Sequence, residues 1–351
     1  MQKTLAELAE FVQGELYGDP KIVISGVATI PCAGNCDITF AENKQYLEHL
    51  NSSQAGAAIV PSNIRPSSIA HIVVDDVRAS MDQVATLFRA PPERSPVGIS
   101  SAAHVSSSAR IAEQVDIHPG AVIDDDVEIG RGSLVHSGVH VFSGSRVAED
   151  VILMPNVIIY AHTVIGARVV IHGGSVIGAY GFGYDLVNGK HIRAAQLGYV
   201  EIEADVEIGA CTTIDRGSYG ATFIGTGTKI DNQVMIAHNC RIGRHNIICS
   251  QVGLAGSVTT GDYCVFAGQV GVRDHVRIGH RATLAAKAGI ISDVPDDAVF
   301  LGIPASHAKE QRQIVVTQTR LPAMRKQLKQ LQRDVDAIQR QLGAESCSDA
   351  A

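Results

Sequence analysis

Read for where aliphatic residues recur, the middle of the chain follows a period of six. Ile99, Val105, Ile111, Ile117, Ile123, Ile129, Val135, Val141, Val147, Leu153, Ile159, Ile165, Ile171 and Ile177 fall on every sixth position. The register resumes at Ile202, Ile208 and Ile214, slips by four residues, and continues at Ile224, Ile230, Ile236, Ile242, Ile248, Leu254, Thr260, Phe266, Val272, Ile278, Leu284 and Ile290, with Thr260 the single polar member. Neither an α-helix nor an alternating strand demands that spacing. A short strand, a corner and another short strand does. Glycine follows several anchors, at Gly130, Gly166, Gly178, Gly209, Gly225, Gly243 and Gly279, as suits corners that need unusual φ or little side-chain bulk. Two stretches interrupt the period, 179–199 and 215–223, and loops thrown out of a solenoid commonly shape its binding surface.

The flanks differ. Residues 1–98 lack the period and combine a helical opening, LAELAEFV, with short β-rich runs, IVIS, AAIV and HIVV, which predicts a small α/β domain. The periodic domain is assigned to 99–305 and a helical extension to 306–351. In that extension Leu321, Met324, Leu328, Leu331, Val335, Ile338 and Leu342 alternate spacings of three and four, a coiled-coil seam that wants partners. Residues 306–343 also carry eight Lys or Arg against Glu310, Asp334 and Asp336, a net +5, which fits either a dock for an acidic protein or a solvated outer face.

The period resembles that of the hexapeptide-repeat proteins, and the resemblance implies a left-handed parallel β-helix with eighteen residues per coil. Anchors stacked about 4.8 Å apart would bury a core of aliphatic ladders. This agrees with a composition of eight Tyr, eight Phe and no Trp in 351 residues. With 45% hydrophobic and 19% charged residues the chain is not disordered. It has no signal-like apolar stretch and no apolar run of about 18 residues, so a soluble cytoplasmic protein without an integral membrane segment is expected. A net charge of −7 argues against a nucleic-acid partner. Seven scattered cysteines without paired CxxC spacing are expected to be reduced and mostly buried.

Most histidines sit at corners, where exposed polar fillers are expected. His238 differs. It lies two residues after anchor Ile236, and Gly256 lies two after anchor Leu254, one coil of eighteen residues further on. A base and a backbone oxyanion donor can therefore share one site, which is what acyl transfer to an amine requires. His275, three after Val272 and nearly two coils beyond His238, is placed on almost the same face. Zinc held by three histidines is the rival, disfavoured because no third matching His lies between them; no metal is expected.

Four motifs then come together: TTIDRG at 212–217, DNQVMIAHN at 231–239, a GFG-containing loop before QLG, and ITF-x2-N-x2-Y at 38–46. The chain in this respect resembles the UDP-3-O-(3-hydroxyacyl)glucosamine N-acyltransferases of lipid A biosynthesis. That resemblance implies transfer of an (R)-3-hydroxyacyl group from acyl carrier protein to the 2-amino group of UDP-3-O-(3-hydroxyacyl)-α-D-glucosamine. It makes His238 the base, Gly256 the oxyanion donor and His275 an auxiliary group, with Phe40, Asn43 and Tyr46 at the uridine and Asn239 among the substrate-binding residues. The sister O-acyltransferase typically has Asp where Asn239 stands. A homotrimer is implied, with no cofactor beyond the phosphopantetheine of the carrier. A CoA-dependent sugar N-acetyltransferase and a non-catalytic trimeric scaffold are the alternatives. Ala285, Ala286, Ala288 and Gly289 suggest room for an acyl chain.

Overall fold

The computed structural model describes residues 1–88, 96–302 and 307–348, with side chains described up to 339. The chain forms two compact units, Met1–Ser95 and Pro96–Ala351.

The first unit is the expected α/β domain. Helix α1 (Leu5–Phe11) starts at a capping box, in which Thr4 Oγ1 accepts from Glu7 N–H and the Glu7 carboxylate accepts from Thr4 N–H. A five-stranded sheet follows, ordered Glu15–Tyr17, Ala70–Val73, Ala57–Val60, Asp37–Phe40, Gly26–Val27, parallel except for its first pair. Helices α2 (Leu47–Asn51) and α3 (Val77–Phe88) complete the unit. Its main core joins Leu5 and Leu8 of α1, Ile38, Ile59 and Ile72 of the sheet, and Met81 and Val84 of α3.

In the second unit the period of six closes into the expected β-helix. Three parallel sheets of ten, ten and nine strands run along it. Most strands are two residues long, and each pairs with the strand one coil on, as Ile117 with Val135, Ile123 with Val141 and Ile129 with Val147. The interruptions lengthen the step without breaking the sheets, so that Ile165 meets Ile202 and Ile177 meets Ile214. The 179–199 interruption projects an exposed hairpin, Tyr184–Val187 against Lys190–Arg193. The other returns through the strand Ala221–Ile224.

Anchors from Ile117 to Ile290 are buried, whereas Ile99, in the first coil with stacking on one side only, is 54% exposed. The periodic reading saw half of this core. The position four after each anchor is buried too, and is filled by small residues of mixed polarity such as Val127, Ser133, Val139, Ser175, Thr212, Cys240 and Asn246. Their polar atoms bond within the coil stack: Ser133 Oγ donates to Ala148 O, and Thr212 Oγ1 to Asp231 O. Small size is common to all of them, and Val predominates, with Ser, Thr or Asn admitted where a partner takes their polar atoms.

The glycines after the anchors are explained by bulk. A Cβ on Gly130 would lie 2.5 Å from the carbonyl carbon of Ala148, and one on Gly209 would lie 2.4 Å from that of Asp231, because consecutive coils touch there. Of the seven glycines, only Gly178 has positive φ. The left-handed residue falls instead three after the anchor, as at Asp150, Asn156, His162, Asn239 and His275. Asn, Asp and His tolerate that conformation better than most side chains.

The cysteine expectation is corrected. Among the described cysteines only Cys240 and Cys264 are buried, at the small position four after an anchor; Cys32, Cys36 and Cys211 are exposed.

Helix α4 (Ala308–Ser348) contains Pro322 and carries the seam. Leu321, Met324, Leu328, Leu331, Val335 and Ile338 are 46–67% exposed. The expected boundary at 305 lies outside the described residues, as do the side chains of Arg340 and Leu342. Among the described residues no helix is long and apolar enough to cross a membrane.

Candidate active site

The register of the β-helix brings His238 and Gly256 together. Ile236 pairs with Leu254, so the two residues that follow each anchor lie over one another on adjacent coils. The imidazole is closely approached by backbone on two sides. A Cβ on Gly256 would sit 2.6 Å from His238 Cε1 and 2.8 Å from Nε2; one on Gly181, in the GFG loop, would sit 2.7 Å from His238 Cβ and 2.9 Å from Cδ2. Glycine is therefore required at both positions for the ring to keep its place. The N–H of Gly256 makes no hydrogen bond among the described residues, while its carbonyl accepts from His275 N at 3.1 Å.

One nitrogen of the ring is committed. Asn239 Oδ1 accepts from Ser218 N–H at 3.1 Å and lies 3.0 Å from His238 Nδ1. An oxygen already taking a backbone N–H is the acceptor, so Nδ1 carries the hydrogen and Nε2 is left with its lone pair. Asn239 is itself held, its N–H donating to Thr222 Oγ1 at 2.9 Å. The 215–223 interruption is thus what orients the imidazole.

Two buried charged residues open that interruption. Arg216, 6% exposed, donates from Nε to Gly178 O at 2.8 Å and from its terminal nitrogen to Ala161 O at 3.1 Å, under the rings of Tyr160 and Tyr180. Asp215 is 4% exposed, and burial raises its carboxyl to about 6, with His238 pulling the other way. Cys240 is next to the site in sequence, but burial pushes its thiol up to about 12, so it stays protonated and is not a nucleophile.

The first unit carries a separate cavity of about 470 Å³, lined by Phe40, Tyr46, Thr39, Glu42, His49 and Arg78 among others. Arg78 Nε pairs with Glu42 Oε1 at 3.2 Å across its rim, and Thr39 Oγ1 is buried there with no hydrogen-bond partner among the described residues. One apolar wall, one ring at the mouth and a charged rim suit a flat heterocycle bearing an anionic group.

Residues 21–87 match the family model described as UDP-3-O-(3-hydroxymyristoyl) glucosamine N-acyltransferase, LpxD, and residues 144–179 and 221–256 match bacterial transferase hexapeptide (six repeats). The UDP-3-O-acylglucosamine N-acyltransferase of Rhodopirellula baltica is 55% identical over 92% of this chain and 84% of its own. Those of Syntrophotalea carbinolica and Myxococcus xanthus are 49% and 45% identical, over 96% and 98% of this chain and 98% and 100% of theirs. The chain belongs to the UDP-3-O-acylglucosamine N-acyltransferase family. It is an N-acyltransferase. Among solved structures, the UDP-N-acetylglucosamine acyltransferase of Francisella novicida aligns over 62% of this chain and 73% of its own at 27% identity, with a TM-score of 0.46.

Within this N-acyltransferase the residues singled out from sequence separate into two groups. His238, Gly256 and Asn239 converge, and Phe40 and Tyr46 share the cavity of the first unit, Tyr46 at 41% exposure. Asn43 is exposed at the start of the 3-10 turn Lys44–Tyr46 and does not line that cavity. His275 belongs to the column of Asn239 and Ser257, one step round the corner from His238, and its side chain is exposed. Asn239, grouped by sequence with the substrate-binding residues, spends its Oδ1 inside the protein. Asp215, Arg216, Ser218 and Gly181 were missed as site residues although TTIDRG and GFG were noted as motifs; a carboxylate beside an arginine reads as an ordinary exposed pair until the loop buries both. Among the described residues no group of three or more His, Cys, Asp or Glu is placed to hold a metal.

Proposed function

We propose that the protein transfers an (R)-3-hydroxyacyl group from acyl carrier protein to the 2-amino group of UDP-3-O-(3-hydroxyacyl)-α-D-glucosamine in lipid A biosynthesis, with His238 as general base. The observation that carries this reading is the fixed tautomer of His238: Nδ1 faces Asn239 Oδ1, and the free Nε2 lies beside Gly256 one coil away.

Nε2 takes a proton from the amine as its nitrogen attacks the thioester carbonyl. The oxyanion that forms is held by the unpaired N–H of Gly256. The C–S bond then breaks, and the leaving thiolate of the carrier's phosphopantetheine takes the proton from the imidazolium. No metal or nucleotide cofactor enters. The names of the relatives supply the acceptor, UDP-3-O-acylglucosamine. Phe40 and Tyr46 would hold its uracil ring, His275 would act as an auxiliary group two coils from the base, and Asn43, outside the cavity lining, would reach the nucleotide only by a shift of the Lys44–Tyr46 turn. The exposed seam of α4 supports self-association as a homotrimer, and the basic character of that helix supports docking of the acidic carrier.

The test is acyl transfer from a 3-hydroxyacyl carrier protein to UDP-3-O-acylglucosamine by wild type and His238→Ala. A loss of about 100-fold or more is expected in the variant, the usual size of a general-base contribution. Undiminished transfer would remove His238 from the mechanism, and transfer by wild type from acetyl-CoA alone would redirect the donor.

A further inference from the structure

Asp215 is a buried carboxylate that the mechanism above leaves unused. Ile214 pairs with Ile236, which sets Asp215 level with Ala237 and diagonally beneath His238 on the neighbouring coil. It is 4% exposed, and while its backbone belongs to the strand Thr213–Asp215, its carboxylate makes no hydrogen bond or ion pair among the described residues. The adjacent guanidinium does not neutralise it, because Arg216 is turned onto Gly178 O and Ala161 O. The other charged or titratable groups facing this corner are accounted for: the Cys240 thiol donates to Ala255 O, and Asp274, two coils beyond, pairs with Arg273 at 3.5 Å. Exposed His275 lies on the same coil as Asp274. A lone buried carboxylate costs folding stability, and its charge is left available to a group that becomes cationic in the working cycle.

We propose that Asp215 is the anionic partner of His238, a positioning residue whose carboxylate offsets the charge of the imidazolium formed when Nε2 takes the amine proton. Asn239 fixes the tautomer but is neutral and cannot supply that charge. The division of labour follows: orientation from the amide on the same coil, charge from the acid on the coil before. This rests on the reading of His238 as base. The active form then needs Asp215 ionised and His238 neutral. Acid removes the partner's charge as Asp215 takes a proton, its carboxyl titrating near 6.

The experiment is a kinetic comparison of full-length wild type, Asp215→Asn, Asp215→Glu, His238→Ala and the Asp215→Asn/His238→Ala double variant, with 3-hydroxyacyl carrier protein and UDP-3-O-acylglucosamine. Asp215→Asn is expected to lower kcat about tenfold or more, the scale of one lost charge near an imidazolium, with both KM values within about twofold. The acid limb of its log kcat profile is expected to lose the step that titrates near 6. Asp215→Glu is expected to recover part of the rate, and the double variant to be no slower than His238→Ala. A melting temperature of Asp215→Asn at or above wild type at pH 8 separates this from misfolding. Wild-type kcat in Asp215→Asn, an unchanged limb, or losses that multiply in the double variant would overturn the role of Asp215. Full activity in His238→Ala would fell the base reading itself, and is scored independently.

Discussion

At the scale of single residues, the site is defined by what is missing as much as by what is present. Gly181 and Gly256 leave the volume that the imidazole fills, and a methyl group at either would collide with it at 2.6–2.7 Å. Gly256→Ala is expected to lower acyl transfer about 100-fold, the cost of displacing a catalytic group by roughly an ångström. Gly253→Ala, three residues earlier where an added Cβ meets nothing within 4 Å, should leave both activity and melting temperature near wild type. Equal losses in the two variants would mean that the ring is not what Gly256 accommodates. Asp215 makes the complementary point about stability. Its carboxyl is raised by burial to about 6, above the 3.8 of a free aspartate, so the folded state holds the proton more tightly than the unfolded one. The associated stability is fully present below about pH 4 and is lost as pH rises through about 6. Asp215→Asn should therefore be more stable than wild type at pH 8, by up to about 2–3 kcal/mol, with the difference vanishing near pH 4. Denaturant melts at the two pH values decide it.

At the scale of the coil, the one polar anchor explains itself. Thr260 Oγ1 accepts from Asn246 Nδ2 at 2.8 Å and from Gly243 N–H at 2.9 Å; in neighbouring coils the corresponding N–H bonds the anchor's carbonyl, as Gly225 N–H does with Ile242 O. Asn246 Nδ2 also reaches Gly261 O, and its Oδ1 takes the N–H of Cys264. The cluster is buried and satisfied. Thr260→Val would perfect the apolar period yet leave donors in the core without an acceptor, and is expected to destabilise the fold by about 1–3 kcal/mol in denaturant melts. No loss of stability would mean that the cluster is dispensable. The solenoid thus enforces shape at every anchor and polarity only where a partner is stacked on it.

At the scale of the molecule, α4 presents a long row of apolar side chains to solvent on the isolated chain. Such a row is stable when buried against copies of itself. Leu328→Glu together with Leu331→Glu is expected to lower the oligomeric state measured by sedimentation, or to make it concentration dependent. An unchanged oligomer would place self-association elsewhere. The basic residues of the same helix are expected to make the KM for carrier protein rise with ionic strength while the KM for the nucleotide sugar moves less, because exposed charges are screened within about 8–10 Å at physiological salt.

The amino-acid sequence by itself determined the β-helix, because a six-residue period of aliphatic anchors has few other ways to be buried. It also determined the pairing of His238 with Gly256, since a register of eighteen residues fixes which side chains stack. The α/β character of the first unit and the seam of α4 were legible for the same reason: each repeats at a spacing set by local geometry. What only the tertiary structure decided lies where the period breaks. The residues four after most anchors mix Val, Ala and Cys with Ser, Thr and Asn, a weaker signature than that of the anchors, and their burial is revealed by packing. Asp215, Arg216, Ser218 and Gly181 reach His238 through two irregular loops, whose course depends on contacts with other coils and not on spacing along the chain. Repetition transmits structure over any distance in sequence; the chemistry of this site was gathered where repetition stops.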